Sequence, residues 1–241
     1  MKIYLCLDDT DTKDSNRGTG RLARWFGAAL PTGVKLEGIV RQQLPRLPGI
    51  PFTSNNSSAC VVLQAPEGYD TASLIDRAAD HIAAHFIEGS DPGLCLVTEE
   101  QPEVLNRLLG FARSASSRVV TQREAHEAAV GAHLSGHGGT EDGVIGAAAG
   151  VGLTVDGWHG RFIELASVDL RALPDLVTVA TLEMAGIRVL GIDRDALMAA
   201  PDHDVVTHGW VRPRLWGGGP VLAVTRIDED RWEVVGNKRD G

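Results

Sequence analysis

The chain opens with a short apolar run that ends abruptly in a group of aspartates. Residues 2–7 read KIYLCL, and DDTDTKDSNRGTGRLA follows directly. The apolar run predicts a buried strand, the polar segment predicts a glycine-containing loop, and residues 21–30 are predicted to form a helix. Asp8, Asp9 and Asp11 then lie at the C-terminal end of the first strand, where open α/β sheets place their ligands. The pattern therefore predicts a binding site in this opening segment.

Further along the chain, alternating and helical spacings of apolar residues predict a mixture of strands and helices. Strands are predicted over residues 34–40, 59–63, 94–97, 118–121, 158–166, 221–226 and 231–235, and helices over residues 72–86, 103–112 and 122–134. The segment LSGHGGTEDGVIGAAAGVG combines a glycine loop with a helix of very small residues, which predicts close packing inside the domain. The prolines and asparagines of RQQLPRLPGIPFTSNNSSA predict a long irregular loop, a kind of segment that tends to be functional. Together these elements predict an α/β (α+β) fold with a mixed sheet and helices.

Composition and charge limit the class of protein. Of the 241 residues, 43% are apolar. Every apolar run is shorter than the ~20 residues needed to span a bilayer, and the N-terminus has no apolar signal core, so we expect a cytoplasmic protein with no membrane partner. Cys6, Cys60 and Cys95 lie in apolar runs without a C-x-x-C pair and are expected to be core residues. The net charge of −9 argues against nucleic acid as a partner, because sequence-independent binding needs clustered Lys and Arg.

The aspartate cluster has the chemistry of a cation and phosphate site. Three carboxylates suit a hard cation such as Mg²⁺, and phosphate is the usual partner of such a cation. Gly18, Thr19 and Gly20 lead into the predicted helix, whose first turn offers backbone N–H groups to an anion. The alternative is a capping and turn cluster, since Asp, Asn, Ser and Gly are common loop residues. The sequence contains neither a P-loop motif nor a G-x-G-x-x-G after a strand.

Three segments together resemble a known family. LDDTDTKDSNRGTGRLA, RLPGIPFTSNNSSA and GGTEDGVIGAAAGVG are similar, in order and spacing, to segments in the N-terminal half of the archaeal tRNA-isoleucine agmatinylcytidine synthetase family. That family uses ATP to attach agmatine to an anticodon cytidine. The resemblance implies a kinase-like ATP-binding domain with an adjacent ferredoxin-like element, ATP and Mg²⁺ as cofactors, and a nucleotide and an acceptor molecule as partners.

The resemblance also implies roles for individual residues. Asp8, Asp9 and Asp11 match the family's metal-binding acids, and Thr19 falls near the threonine implicated in phosphoryl transfer. The residues expected to contact ATP are Gly18, Thr19, Gly20, Arg41, Arg46, Asn55, Asn56, Gly138, Gly139 and Gly143. The implied domains are residues 1–167, an ATP-binding kinase-like region with a ferredoxin-like element near residues 59–121, and residues 168–241, an α+β region that completes the catalytic half.

The chain departs from the family at several positions. Residues 53–57 lack two cations of the family's loop, for which Arg41 and Arg46 are candidate substitutes. Glu141 and Asp142 stand where an arginine of the family would oppose a triphosphate. This substitution argues against intact ATP chemistry unless Glu141 or Asp142 serves a second metal. The family's oligonucleotide-binding fold and cysteine-ligated zinc ribbon have no counterpart here, which again argues against tRNA as the substrate. GGGPVLAVTR in the tail is similar to the segment that closes the family's catalytic half, so we expect a complete chain.

These residues suggest three functions. The first is an Mg²⁺-ATP-dependent phosphotransferase or ligase-like enzyme acting on a small molecule. The second is a catalytically degenerate nucleotide-binding or regulatory protein, which the lost cations would explain. The third is a haloacid-dehalogenase-like phosphatase with Asp9 as nucleophile and Asp11 as acid–base, although Lys13 stands where that family has threonine.

A second candidate for binding lies near the C-terminus. Arg212 and Arg214 are flanked by Trp210 and Trp216. Arginines and aromatic rings in this arrangement can stack on a base or hold an anion. The same arrangement is common in a packed surface turn, and the pattern alone leaves both interpretations open.

Overall fold

A twelve-stranded mixed sheet forms the centre of the computed structural model, which describes residues 1–50, 52, 55–193 and 198–236. In chain order the strands are β1 (Lys2–Asp8), β2 (Lys35–Gln43), β3 (Ser57–Gln64), β4 (Gly93–Thr98), β5 (His133–Gly136), β6 (Arg161–Leu165), β7 (Leu176–Thr178), β8 (Arg188–Gly191), β9 (Asp204–Val206), β10 (Arg214–Trp216), β11 (Gly219–Asp228) and β12 (Arg231–Val234). The helices are α1 (Thr19–Ala28), α2 (Ala72–His85), α3 (Pro102–Ala115), α4 (Gln122–Ala128), α5 (Gly143–Asp156) and α6 (Val179–Met184). Within the described ranges, none of these helices is long and apolar enough to cross a membrane.

The sheet is mostly antiparallel. Its strand order is β5-β4-β1-β3-β2-β6-β10-β11-β12-β9-β7, with β8 beside β11. Of the strand pairs in the described residues, only β8 with β11 and β9 with β12 are parallel. Helices and a mixed sheet of this kind confirm the predicted α+β class.

The first four strands and first two helices form a βαββαβ unit. β1 pairs antiparallel with both β3 and β4, and β3 pairs antiparallel with β2. The resulting order β4-β1-β3-β2 is that of a ferredoxin-like split βαβ arrangement. This unit runs from Lys2 to Thr98. The sequence resemblance places the ferredoxin-like element near residues 59–121, a range that takes in only the second half of the unit.

Side chains of β1 alternate between two helical layers, as the period of a strand requires. Ile3 and Leu5 are buried in a core with residues of α1 and α2. Cys6 lies in a second core with residues of α3 and α5, next to Cys60 and Cys95 of the neighbouring strands. The three cysteines are free and fully buried, as the sequence predicts. The strand that carries the aspartates is thus covered on both faces.

Helix α5 packs directly on the sheet because the residues that face it are glycines. A Cβ atom on Gly146 would lie 1.7 Å from Asp8 Oδ2, and one on Gly150 would lie 2.3 Å from Ser58 Oγ. In an interior packed this closely, no larger residue fits at either position unless the facing side chains, the helix or the strand move. The close packing predicted from the small residues is confirmed, and it places α5 over the C-terminal end of β1.

The C-terminal region builds a third core on the far half of the sheet. β6 pairs with β2 on one side and with β10 on the other, so the sheet continues without a break. Trp232 and Leu222 are buried in this core, and Val40 of β2 packs into it as well. The division of the chain into residues 1–167 and 168–241 stays a prediction.

Residues 118–136 differ from their predicted structure in two places. Helix α4 ends at Ala128 rather than at residue 134, because the chain turns and β5 pairs with β4 at the end of the sheet. That pairing gives the backbone N–H and C=O groups of β5 partners in the sheet. The strand predicted over residues 118–121 is also wrong. This segment leads into α4, where Thr121 and Glu124 form a capping box.

Candidate functional site

The three segments singled out in the sequence meet at one cavity of about 400 Å³ beyond the C-terminal end of β1. Its lining comes from the loop after β1, from the loop between β2 and β3, and from the start of α5, among other segments. The predicted site residues that line it are Asp8, Asp9, Asp11, Thr19, Asn55, Asn56 and Gly143. Residues distant in sequence therefore share one pocket of a size that suits a small ligand.

Aspartates make the cavity strongly acidic. Five of them line it among the described residues, namely Asp8, Asp9, Asp11, Asp91 and Asp142. Burial raises the pKa of Asp8 to about 8, with a smaller contribution from the charge of Asp9. Burial likewise raises the pKa of Asp9 to about 6, followed by the charges of Asp91 and Asp11. No ion pair joins Asp8, Asp9 or Asp11 to a Lys or Arg of the described chain. Carboxylates held close together without an ion-pair partner favour the binding of a cation.

A tight turn after β1 brings the acidic side chains to the cavity. Asp8 ends the strand and is only 9% exposed. Asp9 adopts φ +49°, in the left-handed region where aspartate is one of the few non-glycine residues tolerated. Ile87 N donates to Thr10 O at 3.0 Å and ties the turn to the segment after α2. Backbone strain of this kind occurs often at ligand sites.

Asp11 and Thr19 form a hydrogen-bonded pair at the start of α1. The Thr19 backbone N–H donates to Asp11 Oδ1 at 3.1 Å, and the Thr19 hydroxyl donates to the same oxygen at 3.2 Å. Thr10 N donates in turn to Thr19 Oγ1 at 3.3 Å. Because the N-cap residue Gly18 has no side chain to cap the helix, Asp11 does so instead. Within this first turn, the Thr19 N–H is therefore already taken by Asp11, and for Asp11 the capping interpretation describes these contacts. The expectation that the first turn offers N–H groups to an anion stays a prediction.

Two acidic residues of the cavity come from other elements. Asp91 precedes β4, and its Oδ1 accepts a hydrogen bond from Thr140 N. A Cβ on Gly139 would lie 1.8 Å from that same oxygen, so only glycine fits there. Asp142 precedes α5, and its Oδ1 accepts from Gln122 Nε2 at 2.7 Å. Since β4 runs antiparallel to β1, the start of β4 meets the end of β1, and this register is the signal by which Asp91 could have been found.

The predicted glycines mostly shape the site and do not line it. Gly18 is the N-cap of α1, and Gly20 allows α1 to approach β6 closely. Gly138 and Gly139 adopt φ +151° and +59° in the loop that holds the aspartate before β4. Gly143 alone among them borders the cavity. The glycine segment thus contributes close packing and turn geometry more than direct ligand contact.

The two candidate arginines lie in different places. Arg46 does not line the aspartate cavity, but its Nη2 donates to Asn55 Oδ1 at 2.6 Å and so supports a lining residue. Arg41 lines another cavity, and its Nε donates to Ser57 Oγ at 3.0 Å. Residues 53 and 54 of the intervening loop lie outside the described residues. Arg41 lies on β2 and lines the neighbouring cavity, so its contact with a nucleotide stays a prediction.

Several lining residues had no signal in the sequence. Lys13 and Arg118 bring cationic groups to the cavity, and Arg118 Nη2 also pairs with Glu124 Oε1 at 2.6 Å. An apolar part of the lining comes from Leu44, Ile50, Phe52, Val119 and Val120. These residues lie in loops and turns whose position depends on the packing of the helices. The cavity thus combines acidic, cationic and apolar walls, and an apolar lining with a few polar groups is typical of small-molecule sites.

The acidic residues by themselves can supply only part of the coordination of a divalent cation. In the part of the chain that the structure describes, no group of three or more His, Cys, Asp or Glu side chains is arranged to hold a metal ion. Mg²⁺ usually binds through one or two carboxylates and completes its coordination with substrate phosphates and water. Buried Asp8 and its neighbour Asp9 are hard oxygen donors, and neither forms an ion pair with a Lys or Arg of the described residues, so they fit that mode of binding.

Over 63% of its length the chain superposes on a crystal structure of TiaS in complex with an isoleucine tRNA and ATP, with a TM-score of 0.53 and 26% sequence identity. The chain is similar to TiaS, a tRNA agmatidine synthetase. Apo TiaS gives a TM-score of 0.51, and a structure described as a tRNA fluorescent labeling enzyme gives 0.53, both at 26% identity over 63% of this chain. The chain spans about 36% of the length of these proteins. The resemblance drawn from the three sequence segments is confirmed.

Comparisons of sequence alone add nothing further. No protein-family model matches the chain, and a search of curated proteins gives no match. The similarity to TiaS is therefore carried by the fold together with the short segments quoted above.

The expectation that nucleic acid is not a partner is contradicted by these structures. The TiaS structure that the chain resembles contains an isoleucine tRNA. The net charge of −9 misled because it is a sum over the whole chain, whereas nucleic acids contact local surfaces. The lack of a counterpart to the family's oligonucleotide-binding fold and zinc ribbon likewise gives no information about RNA contacts by other surfaces of this chain.

Proposed function

We propose that the chain binds Mg²⁺-ATP in the aspartate cavity and uses it for phosphoryl transfer or ligation. The observation that carries the proposal is the convergence of buried Asp8 and Thr19, half-buried Asp9 and two cationic side chains on one cavity of about 400 Å³. Phosphoryl transfer needs mainly positioning and neutralisation of charge, and these groups supply both. The similarity to TiaS structures solved with ATP supports this assignment.

Each group has a distinct role in the proposed reaction. Asp8 and Asp9 hold Mg²⁺, which when bound neutralises phosphate charge and orients the transferred group. Lys13 and Arg118 contact phosphate oxygens, and the apolar wall that includes Phe52 packs against the base. Asp11 accepts a 3.2 Å hydrogen bond from the Thr19 hydroxyl and so keeps that hydroxyl oriented.

The proposed acceptor is a small cationic molecule. The acidic lining of the cavity attracts a positively charged group, and a lining of five aspartates leaves carboxylates available beside a metal. TiaS has been solved with an isoleucine tRNA, an ATP analogue and agmatine together, which supports a small amine as a co-substrate here. An RNA nucleotide as the second reactant is equally compatible with that comparison, and the turnover experiment below includes it.

We expect Mg²⁺-ATP to stabilise the protein and to be consumed. A ligand at 100 times its dissociation constant stabilises the folded state by about 2.7 kcal/mol, so the melting temperature should rise by several degrees. The rise should require Mg²⁺ and disappear with EDTA. Turnover is then measured as release of ADP or AMP with added amines, with RNA, and with both. Absence of any thermal shift at millimolar Mg²⁺-ATP would overturn the proposal.

A nucleotide-binding protein without turnover is the second candidate. It is favoured by Asp142, which adds a carboxylate to the lining of the cavity where the family resemblance implies an arginine. It predicts the same thermal stabilisation with no release of ADP or AMP under any of the acceptor conditions. A phosphatase, in contrast, would hydrolyse simple phosphomonoesters through an aspartyl-phosphate at Asp9 and show no preference for ATP.

The stability of the nucleotide-free protein should fall as pH rises from 5 to 8. Burial raises the pKa of Asp8 from its ordinary value of 3.8 to about 8 in the folded state, so through this range the folded state holds a proton that the unfolded state has already lost at pH 5. The free energy of unfolding therefore decreases with pH across this window, by on the order of 3 kcal/mol. Urea denaturation at both pH values measures it. Asp8→Asn should remove most of the dependence, and an equal slope in both proteins would contradict the prediction.

A further inference from the structure

Strand β5 forms one end of the sheet and carries polar side chains on one face. It pairs with β4, and no other strand of the described residues pairs with it. His133 and Ser135 are two positions apart, so their side chains lie on the same face. They pair with Leu96 and Leu94, which belong to the core that includes residues of α1 and α2. His137 follows the end of the strand, and all three polar residues are half-buried. Two imidazoles and a hydroxyl are thus close together at an edge of the sheet that solvent can reach.

The ring nitrogens of the two histidines converge on one oxygen. His133 Nε2 lies 2.8 Å from Ser135 Oγ, and His137 Nε2 lies 2.8 Å from the same atom. A serine hydroxyl has a single hydrogen, so it can donate to one ring only, and the other ring must donate its own N–H. The two Nε2 atoms are therefore no farther apart than the length of two hydrogen bonds. Two nitrogens bound to one tetrahedral Zn²⁺ stand about 3.3 Å apart, which is within that limit.

Burial keeps both imidazoles in the form that binds metal ions. It lowers the pKa of His133 and the pKa of His137, and the charge of His137 lowers the pKa of His133 further. The charges of Asp76 and Glu141 act in the opposite direction, on His133 and His137 respectively. Neutral imidazole suits Zn²⁺, Cu²⁺ and Ni²⁺, whereas carboxylates and water suit Mg²⁺. The histidine pair therefore selects a different class of cation from the aspartate cavity.

Other roles fit this pair less well. An anion needs cationic groups, but both rings are neutral at pH 7, and the neighbouring charges that act on them also include those of two acids. A role limited to hydrogen bonding would explain the contacts with Ser135, yet half-buried side chains can also hydrogen bond with water. Holding two imidazoles together also costs free energy when both are protonated, because like charges repel. A metal ion between them makes the same proximity favourable.

Two histidine ligands leave coordination positions open. Among the described residues no group of three or more His, Cys, Asp or Glu side chains could hold a metal ion, so the hydroxyl of Ser135 and water complete the coordination. The effect of the ion on the fold is local. His137 N donates to Pro92 O at 2.8 Å, and the loop that starts there includes Thr140, whose N–H donates to Asp91 of the aspartate cavity. A metal ion on both histidines would hold this loop to β5.

We infer that His133 and His137 bind one divalent transition-metal ion, such as Zn²⁺, through their Nε2 atoms. The bound ion stabilises the edge strand β5 and the loop that follows it. This inference goes beyond the proposed nucleotide reaction and does not rest on it, because neither histidine lines the aspartate cavity.

The experiment is isothermal titration calorimetry with ZnCl₂ on protein freed of metal by a chelator. Mg²⁺ is present in excess, so that it competes for the carboxylates of the aspartate cavity. The ligand variants are His133→Gln and His137→Gln, and the matched control is His126→Gln, which removes an exposed histidine from α4. Asp8→Asn separates this site from the aspartate cavity. Circular dichroism and melting temperature establish that each variant is folded, and either ligand variant suffices if the other does not fold.

We expect the wild type to bind one Zn²⁺ per chain, with the same affinity in His126→Gln and Asp8→Asn. Loss of a residue that only orients a metal ligand typically weakens binding by roughly 10–100-fold, so loss of one of two ligands should weaken it at least about tenfold. Zn²⁺ should also raise the melting temperature of the wild type and of His126→Gln, but not that of either ligand variant.

Three results would overturn the inference. The first is a wild type that binds no Zn²⁺ at submillimolar concentrations. The second is binding that is unchanged in the ligand variants, or lost equally in His126→Gln. The third is a loss confined to Asp8→Asn, which would place the ion in the aspartate cavity. None of these results bears on whether the aspartate cavity binds Mg²⁺-ATP, which the nucleotide-induced thermal shift measures separately.

Discussion

We expect Asp8→Asn to lower the proposed Mg²⁺-dependent ATP turnover more than any other substitution, while leaving the protein folded. The carboxyl group is buried at the end of β1, and the amide that replaces it has nearly the same shape but no charge for a metal. A metal contact of this kind contributes several kcal/mol to the transition state, so the rate should fall by at least about 1000-fold. Asp9→Asn should act in the same direction. Steady-state release of ADP or AMP measures both.

The matched control for these variants is Asp14→Asn. Asp14 lies in the same loop but is exposed and does not line the cavity. Its loss removes one negative charge near the site and should change turnover by less than about twofold, since exposed charges are screened by solvent and salt. Full turnover in Asp8→Asn and Asp9→Asn would refute the metal assignment. A comparable loss in Asp14→Asn would show that only the local field matters.

Gly93→Ala should destabilise the protein by about 3 kcal/mol, near the upper end for overpacking of a core. A Cβ on Gly93 would lie 2.1 Å from the carbonyl carbon of Gly143, at the start of α5. Both partners are backbone, so no side chain can rotate away, and α5 must move off β4. Because the start of α5 also carries Asp142, this shift should weaken stabilisation by Mg²⁺-ATP as well. Urea denaturation and the nucleotide-induced thermal shift measure the two effects.

Gly110→Ala is the control for this substitution. Gly110 is exposed on α3, and a Cβ there would meet no atom within 4 Å. Alanine in an open helical position should stabilise the protein by about 0.5 to 1 kcal/mol. A Gly93→Ala protein as stable as the wild type would show that α5 does not pack on β4 as described. Opposite changes in the free energy of unfolding for the two variants would show that the effect of the added methyl group depends on the atoms packed around it.

The sequence could predict elements whose signal is local. The apolar run before Asp8 and the small residues around Gly146 determine a buried strand and a closely packed helix, and both are found. The helix predicted over residues 122–134 is longer than the observed α4, because the end of α4 is determined by the pairing of β5 with β4, two segments far apart in sequence. The same limit applies to Asp91, which reaches the cavity only through the antiparallel register of β4 on β1. Roles of the aspartates in metal and nucleotide binding remain predictions.

By itself, the sequence determined that aspartates follow the first strand, because polarity and residue size can be recognised from neighbouring residues in the chain. It also determined that three segments together resemble those of one family. Only the tertiary structure decided which residues share a cavity. It brought Asp91 and Asp142 to the aspartates, and it separated Arg41 from them. It also aligned Arg41 with Arg161 and Arg214 across three strands. Strand register joins residues that are distant in the chain, and no local pattern encodes that register.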